Sequence, residues 1–202
     1  MTVAQRLQTV NDDHPTLPNL SLFLIGMMGS GKTTVGKALA RQLTYRFFDA
    51  DVLVERVAGQ SVPEIFAQQG EAAFRQLESQ ILSELSSYTQ SVIATGGGAA
   101  AEPHNWRYLR QGIVIWLDAP ITLLCQRLQG NKNRPLLQDV DLPTKLQTLM
   151  GERRDRYVQA DLCITVDAQD TPEAIATRII TQIPSILKDP LRPIIPDTLD
   201  AN

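Results

Sequence analysis

A doubly wound α/β fold, with a parallel sheet covered by helices on both faces, is what the sequence predicts, and three observations carry it. Five short apolar runs alternate with longer amphipathic stretches along the chain. The runs are almost continuously hydrophobic instead of strictly alternating, the mark of strands buried on both faces. Strand and helix patterns also alternate through a single domain, which places a ligand beyond the carboxyl ends of the strands.

The elements follow in order. Residues 20–26 (LSLFLIG) form the first strand, and 32–43 (KTTVGKALARQL) the helix after it. The second strand is 45–51 (YRFFDAD), followed by helical patterns at 51–59, 61–69 and 71–85. The 61–69 helix opens on Ser61 and Glu64, a capping-box spacing in which Ser61 accepts an amide and Glu64 reaches back. Strands are predicted at 91–98 (SVIATGGG), 112–119 (GIVIWLDA) and 162–168 (LCITVDA), with helices at 120–128, 142–161 and 171–183. Pro190 and the prolines after it can neither donate backbone bonds nor continue a helix, so the regular fold is expected to end near Leu187. Residues 1–19 and 188–202 are expected to be flexible extensions of the 20–187 domain.

Composition narrows the function. A chain of 202 residues, 43% hydrophobic, suits one domain with one core. Nineteen basic and twenty-two acidic side chains leave a net charge of -3, without the cationic excess a nucleic-acid binder needs. No apolar run approaches the roughly 20 residues that span a bilayer, and the first residues lack the order of a signal peptide. Asp12 and Asp13 argue against an acid-poor transit peptide. A cytoplasmic protein without nucleic-acid or membrane partners is expected, acting as a monomer. Cys125 and Cys163 make no disulfide framework.

The first strand runs into GMMGSGKTT, residues 26–34, and then into a helix. That is GxxxxGK followed by a hydroxyl residue, in the strand-loop-helix setting of a phosphate-binding loop. The glycines let backbone amides curl around phosphate oxygens, Lys32 reaches the β- and γ-phosphates, and Thr33 offers a hydroxyl to Mg²⁺. The loop alone does not separate a kinase from a GTPase switch or an ATP-driven motor, but NKNR at 131–134 lacks the aspartate of a GTPase base-reading signature and the chain is short for a motor module.

The acceptor side is read from later segments. Asp49 and Asp51 close the second strand; two apart in an extended segment, they point the same way, although Asp51 could equally be the N-cap of the next helix. Arg75 and Glu78 form an i,i+3 pair that either is a local ion pair or aims Arg75 at a carboxylate. Phe66 and Phe74 read as core residues that could also offer a ring face to a substrate. The glycines of 96–98 expose amides at a strand end. A polar loop with Asn131, Asn133 and Arg134 could close over a phosphoryl group. Arg153, Arg154 and Arg156 lie on the helix after it, with one or two expected to point inward.

In this order, GMMGSGKTT, FFDAD, FRQLE, TGGG, NRPLL and ERR resemble the shikimate kinases, over roughly residues 20–185. The resemblance implies a three-layer P-loop NTPase fold, with a central five-stranded parallel sheet and a mobile lid at about 130–141. It implies transfer of the γ-phosphoryl group of ATP to the 3-hydroxyl of shikimate, with Mg²⁺. The residues it assigns to the nucleotide are Met28, Gly29, Ser30, Gly31, Lys32, Thr33, Arg127, Arg134 and Pro172. To the metal it assigns Thr33 and Asp49. Asp51, Arg75, Gly97, Gly98 and Arg153 would hold shikimate, and Lys32, Asp51 and Arg134 would be catalytic. Many members carry Pro-Leu-Tyr after the substrate arginine, whereas this chain has Arg154, Asp155, Arg156 and Tyr157, which leaves Arg153 and Arg154 both eligible as the second carboxylate-binding arginine. Alternatives are another small-metabolite kinase, such as one acting on gluconate, or a noncatalytic nucleotide-binding relative.

Overall fold

The computed structural model describes residues 19–129 and 141–187. Five parallel strands form one sheet in the order β2-β3-β1-β4-β5: β1 Leu22–Ile25, β2 Arg46–Asp49, β3 Ser91–Ala94, β4 Ile113–Asp118 and β5 Leu162–Thr165. Helices α1 Lys32–Leu43, α2 Ala50–Ala58, α3 Val62–Ser86, α4 Trp106–Leu109, α5 Ile121–Leu128, α6 Leu142–Tyr157 and α7 Pro172–Leu187 complete it. The five-stranded α/β fold is therefore as expected. β1, β3 and most of β4 are buried throughout, which is why their sequences read as unbroken apolar runs.

Register sets the site. Leu24 pairs with Ala94, and Ala94 with Asp49, so three strands end at one level. The residues just beyond, Gly26, Thr95 and Ala50, start at one edge of the sheet.

Several elements differ from expectation. The helices expected at 61–69 and 71–85 are both present and meet at Gly70, whose φ 82 and ψ 170 are not helical, and α3 spans the two together. Glu64 reaches back as expected, accepting from both the amide and the hydroxyl of Ser61. Two short 3-10 turns, Ala99–Ala101 and Pro103–Asn105, precede α4. The sequence reading lacks all three, because segments this short show no periodicity. α6 stops at Tyr157 instead of residue 161, and α7 runs to Leu187 despite Pro184 within it. The expected terminal extensions, and the lid with Arg134, Asn131 and Asn133, lie outside the described residues, apart from Asn19 and Asp141 at their edges. No helix among the described residues is long and apolar enough to cross a membrane.

Candidate active site

The phosphate loop leaves β1 at Ile25 and enters α1 at Lys32. Gly26, Gly29 and Gly31 all take positive φ, at 135°, 80° and 102°, which side chains rarely adopt, so the three glycines are backbone requirements. Lys32 folds back beneath the loop and donates to the carbonyls of Gly26 and Met27 at 2.9 Å each. The Ser30 hydroxyl is turned inward, toward Gly26. Arg127 of α5 donates to the carbonyl of Gly29 at 3.1 Å, bringing that guanidinium to the loop's outer rim.

A cleft of about 360 Å³ opens here. Gly29, Gly31, Lys32, Thr33 and Arg127 line one side, and Asp49, Asp51 and Gly97 also reach it. The two aspartates arrive differently from the expected strand alternation. β2 ends at Asp49 and α2 begins at Ala50, so Asp51 sits in the first turn of a helix. The N-cap is Asp49, whose Oδ1 accepts from the amides of Asp51 and Val52 at 3.1 and 3.4 Å. Its Oδ2 accepts from the Thr33 hydroxyl at 2.7 Å. Asp49 thus binds α2 to the phosphate loop, and the capping role weighed for Asp51 belongs to its neighbour.

The glycine run after β3 packs against two arginines. A Cβ at Gly98 would lie 2.5 Å from both Nη1 and Nη2 of Arg75. At Gly96 it would collide with Glu78 Oε1 and approach Asp51 Oδ1 to 2.7 Å. Gly96 was read only as part of the run, yet it faces the tightest approach of the three. Arg153 is buried and its Nη1 donates to the Gly97 carbonyl at 2.9 Å. Arg154 instead lies over the Trp116 ring, 5.5 Å from its centroid. Packing therefore turns Arg153, and not Arg154, toward the glycines. Arg75 and Arg153 lie against Gly98 and Gly97 and do not line the cleft itself; Arg75 lines a neighbouring cavity with Ser79, Ser83 and His104. Phe74 is buried in the core, packs against the Phe66 ring at a tilt with centroids 4.9 Å apart, and supports the Arg75 guanidinium 5.2 Å from its ring centroid. Pro172 opens α7; two residues earlier, Asp170 pairs with Arg178 at 2.6 Å and feels the charge of Arg127.

Arg75 bonds to Glu78 at 2.8 Å and to Glu71 at 3.0 Å. Burial alone would lower the pKa of Arg75, but Glu78 and Glu71 more than offset it and hold it above the ordinary value. Glu78 is almost wholly buried, and its Oε1 has no hydrogen-bond partner among the described residues. Burial pushes its pKa up to about 7; Arg75 opposes the rise and the nearby charge of Asp51 adds to it. Glu78 so keeps its proton to higher pH in the folded protein than in the unfolded chain, where the ordinary value is 4.5. Its contribution to stability is complete below that value and is lost as pH rises through about 7. The stability of the wild type relative to Glu78→Gln should therefore fall by up to about 3 kcal/mol between about pH 5 and pH 8. Urea denaturation of both proteins at the two pH values measures this, and parallel pH profiles would contradict it.

The site matches a known family. The shikimate kinase family model covers residues 28–184. A shikimate kinase of Microcystis aeruginosa is 55% identical over 177 residues, 88% of this chain and 93% of that protein. One from Synechococcus elongatus is 56% identical over 173 residues, 86% of this chain and 91% of that protein. Among solved structures, a shikimate kinase from Acinetobacter baumannii in complex with shikimate aligns with a TM-score of 0.81 at 39% identity, covering 84% of this chain and 96% of that one. With a phosphate loop, an acidic pair and a glycine turn brought to one edge of the sheet, and this degree of likeness along most of its length, the chain belongs to the shikimate kinase family.

Proposed function

We propose that this protein transfers the γ-phosphoryl group of ATP to the 3-hydroxyl of shikimate, giving 3-phosphoshikimate and ADP. The observation that carries the reading is the shared cleft: Lys32 and Thr33 of the phosphate loop face the same space as Asp51 and Gly97. A donor phosphate and an acceptor hydroxyl meet there without any rearrangement of the sheet.

In this reading residues 28–33 cradle the nucleotide phosphates, Arg127 and Pro172 lie toward the base, and Lys32 neutralises charge on the transferring group. The transition state of phosphoryl transfer is loose, with charge spread over its equatorial oxygens, so positioning and charge compensation supply most of the rate. Asp51 accepts a hydrogen bond from the attacking hydroxyl, orients it and takes its proton. Arg75 and Arg153 hold the shikimate carboxylate, and the amides of Gly97 and Gly98 hold hydroxyls. Arg134, outside the described residues, keeps its expected role at the transferring phosphate.

Mg²⁺ suits the donor set, because the Thr33 hydroxyl and the Asp49 carboxylate are hard oxygens already 2.7 Å apart beside the phosphate loop. Thr33 would hold the ion directly and Asp49 through water. When bound, it supplies neutralisation of phosphate charge.

The test of the reading is ADP release in the presence of shikimate, gluconate or nucleoside monophosphates. Release that depends on shikimate alone is expected. ATP binding without acceptor-dependent release would instead support a noncatalytic role. Because the pair with Glu78 holds Arg75 against Gly98, Arg75→Ala should weaken shikimate binding by about 1.5–3 kcal/mol, roughly 10- to 150-fold, with ATP binding unchanged. Calorimetric titration with each ligand decides it, and an unaltered shikimate affinity would remove Arg75 from the acceptor site.

A further inference from the structure

Tyr157 has no part in the roles above, yet it touches both halves of the site. It ends α6, one helical turn beyond Arg153 and on the same face. It is fully buried, and its ring packs at 5.6 Å from that of Trp116. Its hydroxyl donates to the Gly97 carbonyl at 3.0 Å, the oxygen that also accepts from Arg153, and lies 3.7 Å from Sδ of Met27 in the phosphate loop. A phenylalanine would fill the same space, and burying a hydroxyl is unfavourable unless it is bonded. Burial also holds the phenol's pKa above its ordinary value, so the group remains a donor.

The other carbonyls of the turn are held locally. Those of Gly96 and Gly98 accept from the amides of Ala99 and Ala101. Those of Ala99 and Ala100 accept from Asn105 and Trp106 side chains, each at 2.9 Å. The Gly97 carbonyl is held from α6, by residues about sixty positions away in sequence. A peptide group is planar, so fixing the Gly97 carbonyl also fixes the Gly98 N–H on its opposite side. Between two glycines the backbone would otherwise have its widest freedom.

We propose that Tyr157 is a positioning residue for the acceptor: its hydroxyl pins the Gly97–Gly98 peptide so that the Gly98 amide is presented to the acceptor's hydroxyl groups. Arg153 shares the carbonyl but must also serve the acceptor carboxylate, whereas the Tyr157 phenol has one proton to donate, with the Gly97 carbonyl at 3.0 Å the nearer acceptor and the Met27 sulfur at 3.7 Å the weaker one. The inference rests on the acceptor role given to Gly98 under the proposed function.

Tyr157→Phe keeps the ring and its packing. It should raise the KM for shikimate about 5- to 10-fold, the effect of one lost hydrogen bond, while leaving the KM for ATP and the Tm near wild type. In the protein without ligands, the same substitution should shift the ¹H–¹⁵N resonance of the Gly98 amide. An unmoved Gly98 resonance overturns the pinning whatever the substrate is. Equal rises in both KM values together with a lowered Tm overturn positioning in favour of a purely structural role. A wild-type protein that binds ATP without shikimate-dependent turnover overturns the functional reading and the acceptor half of this proposal, and leaves the resonance shift to decide the pinning on its own.

Discussion

Asp51→Asn is expected to lower shikimate-dependent turnover by about 10²- to 10⁴-fold while ATP binding survives. Asparagine keeps the shape of the side chain but cannot take a proton from the attacking hydroxyl at neutral pH. The structure makes the substitution an informative one, because the amides at the start of α2 are capped by Asp49 and not by Asp51. Removing the Asp51 charge so leaves the helix cap in place, and lost activity reports on chemistry. It should also ease the upward pressure on the Glu78 pKa, to which Asp51 contributes. Coupled ADP release gives the turnover and calorimetry the ATP affinity. Turnover close to wild type would exclude Asp51 as the group that orients and deprotonates the acceptor.

Lys32→Met should cost about 10²- to 10³-fold in turnover, the scale of losing one preorganised charge at a developing anion. Methionine retains the aliphatic stem under the loop, but the carbonyls of Gly26 and Met27 lose their donor. Some loss of ATP affinity therefore accompanies the loss of rate, while shikimate binding should persist because its proposed contacts come from α2, α3, α6 and the glycine turn. Single-turnover kinetics at saturating ATP separate the two effects. A normal rate of phosphoryl transfer under that condition would show that Lys32 only shapes the loop.

How far the sequence reached depended on how local each feature is. The phosphate loop was legible because its glycines, lysine and hydroxyl are contiguous, and its three positive-φ positions are the glycines of the motif. The central strands β1, β3 and β4 were legible because burial on both faces leaves an unbroken apolar run, whereas the edge strands β2 and β5 carry exposed or half-buried positions despite their apolar sequences. α4 and the 3-10 turns before it were missed because they are too short to show a period. The FFDAD segment was read as continuously extended, yet the chain turns into α2 after Asp49, since that carboxylate captures the first free amides. Both acids still reach the cleft, by a route that strand alternation did not anticipate.

Arg153 and Arg154 show the same limit on a helix. Adjacent helical residues point about 100° apart, so one of the two had to face away. The buried positions of α6, Leu146, Leu149, Arg153 and Tyr157, follow one face at helical spacing. Extending that stripe from the two leucines would have selected Arg153 and drawn attention to Tyr157.

By itself the sequence determined the fold class, the phosphate loop and the residue types gathered for an anionic acceptor, because propensity, burial pattern and contiguous motifs act over a few residues. Only the tertiary structure decided which aspartate caps α2, which arginine turns toward Gly97, and that Gly96 must be bare beside Glu78 and Asp51. Apart from the cap, which Asp49 makes with amides two and three residues further on, those outcomes depend on distances between segments well apart in the chain. Hydrogen bonding and burial act through those distances, and separation along the chain does not encode them.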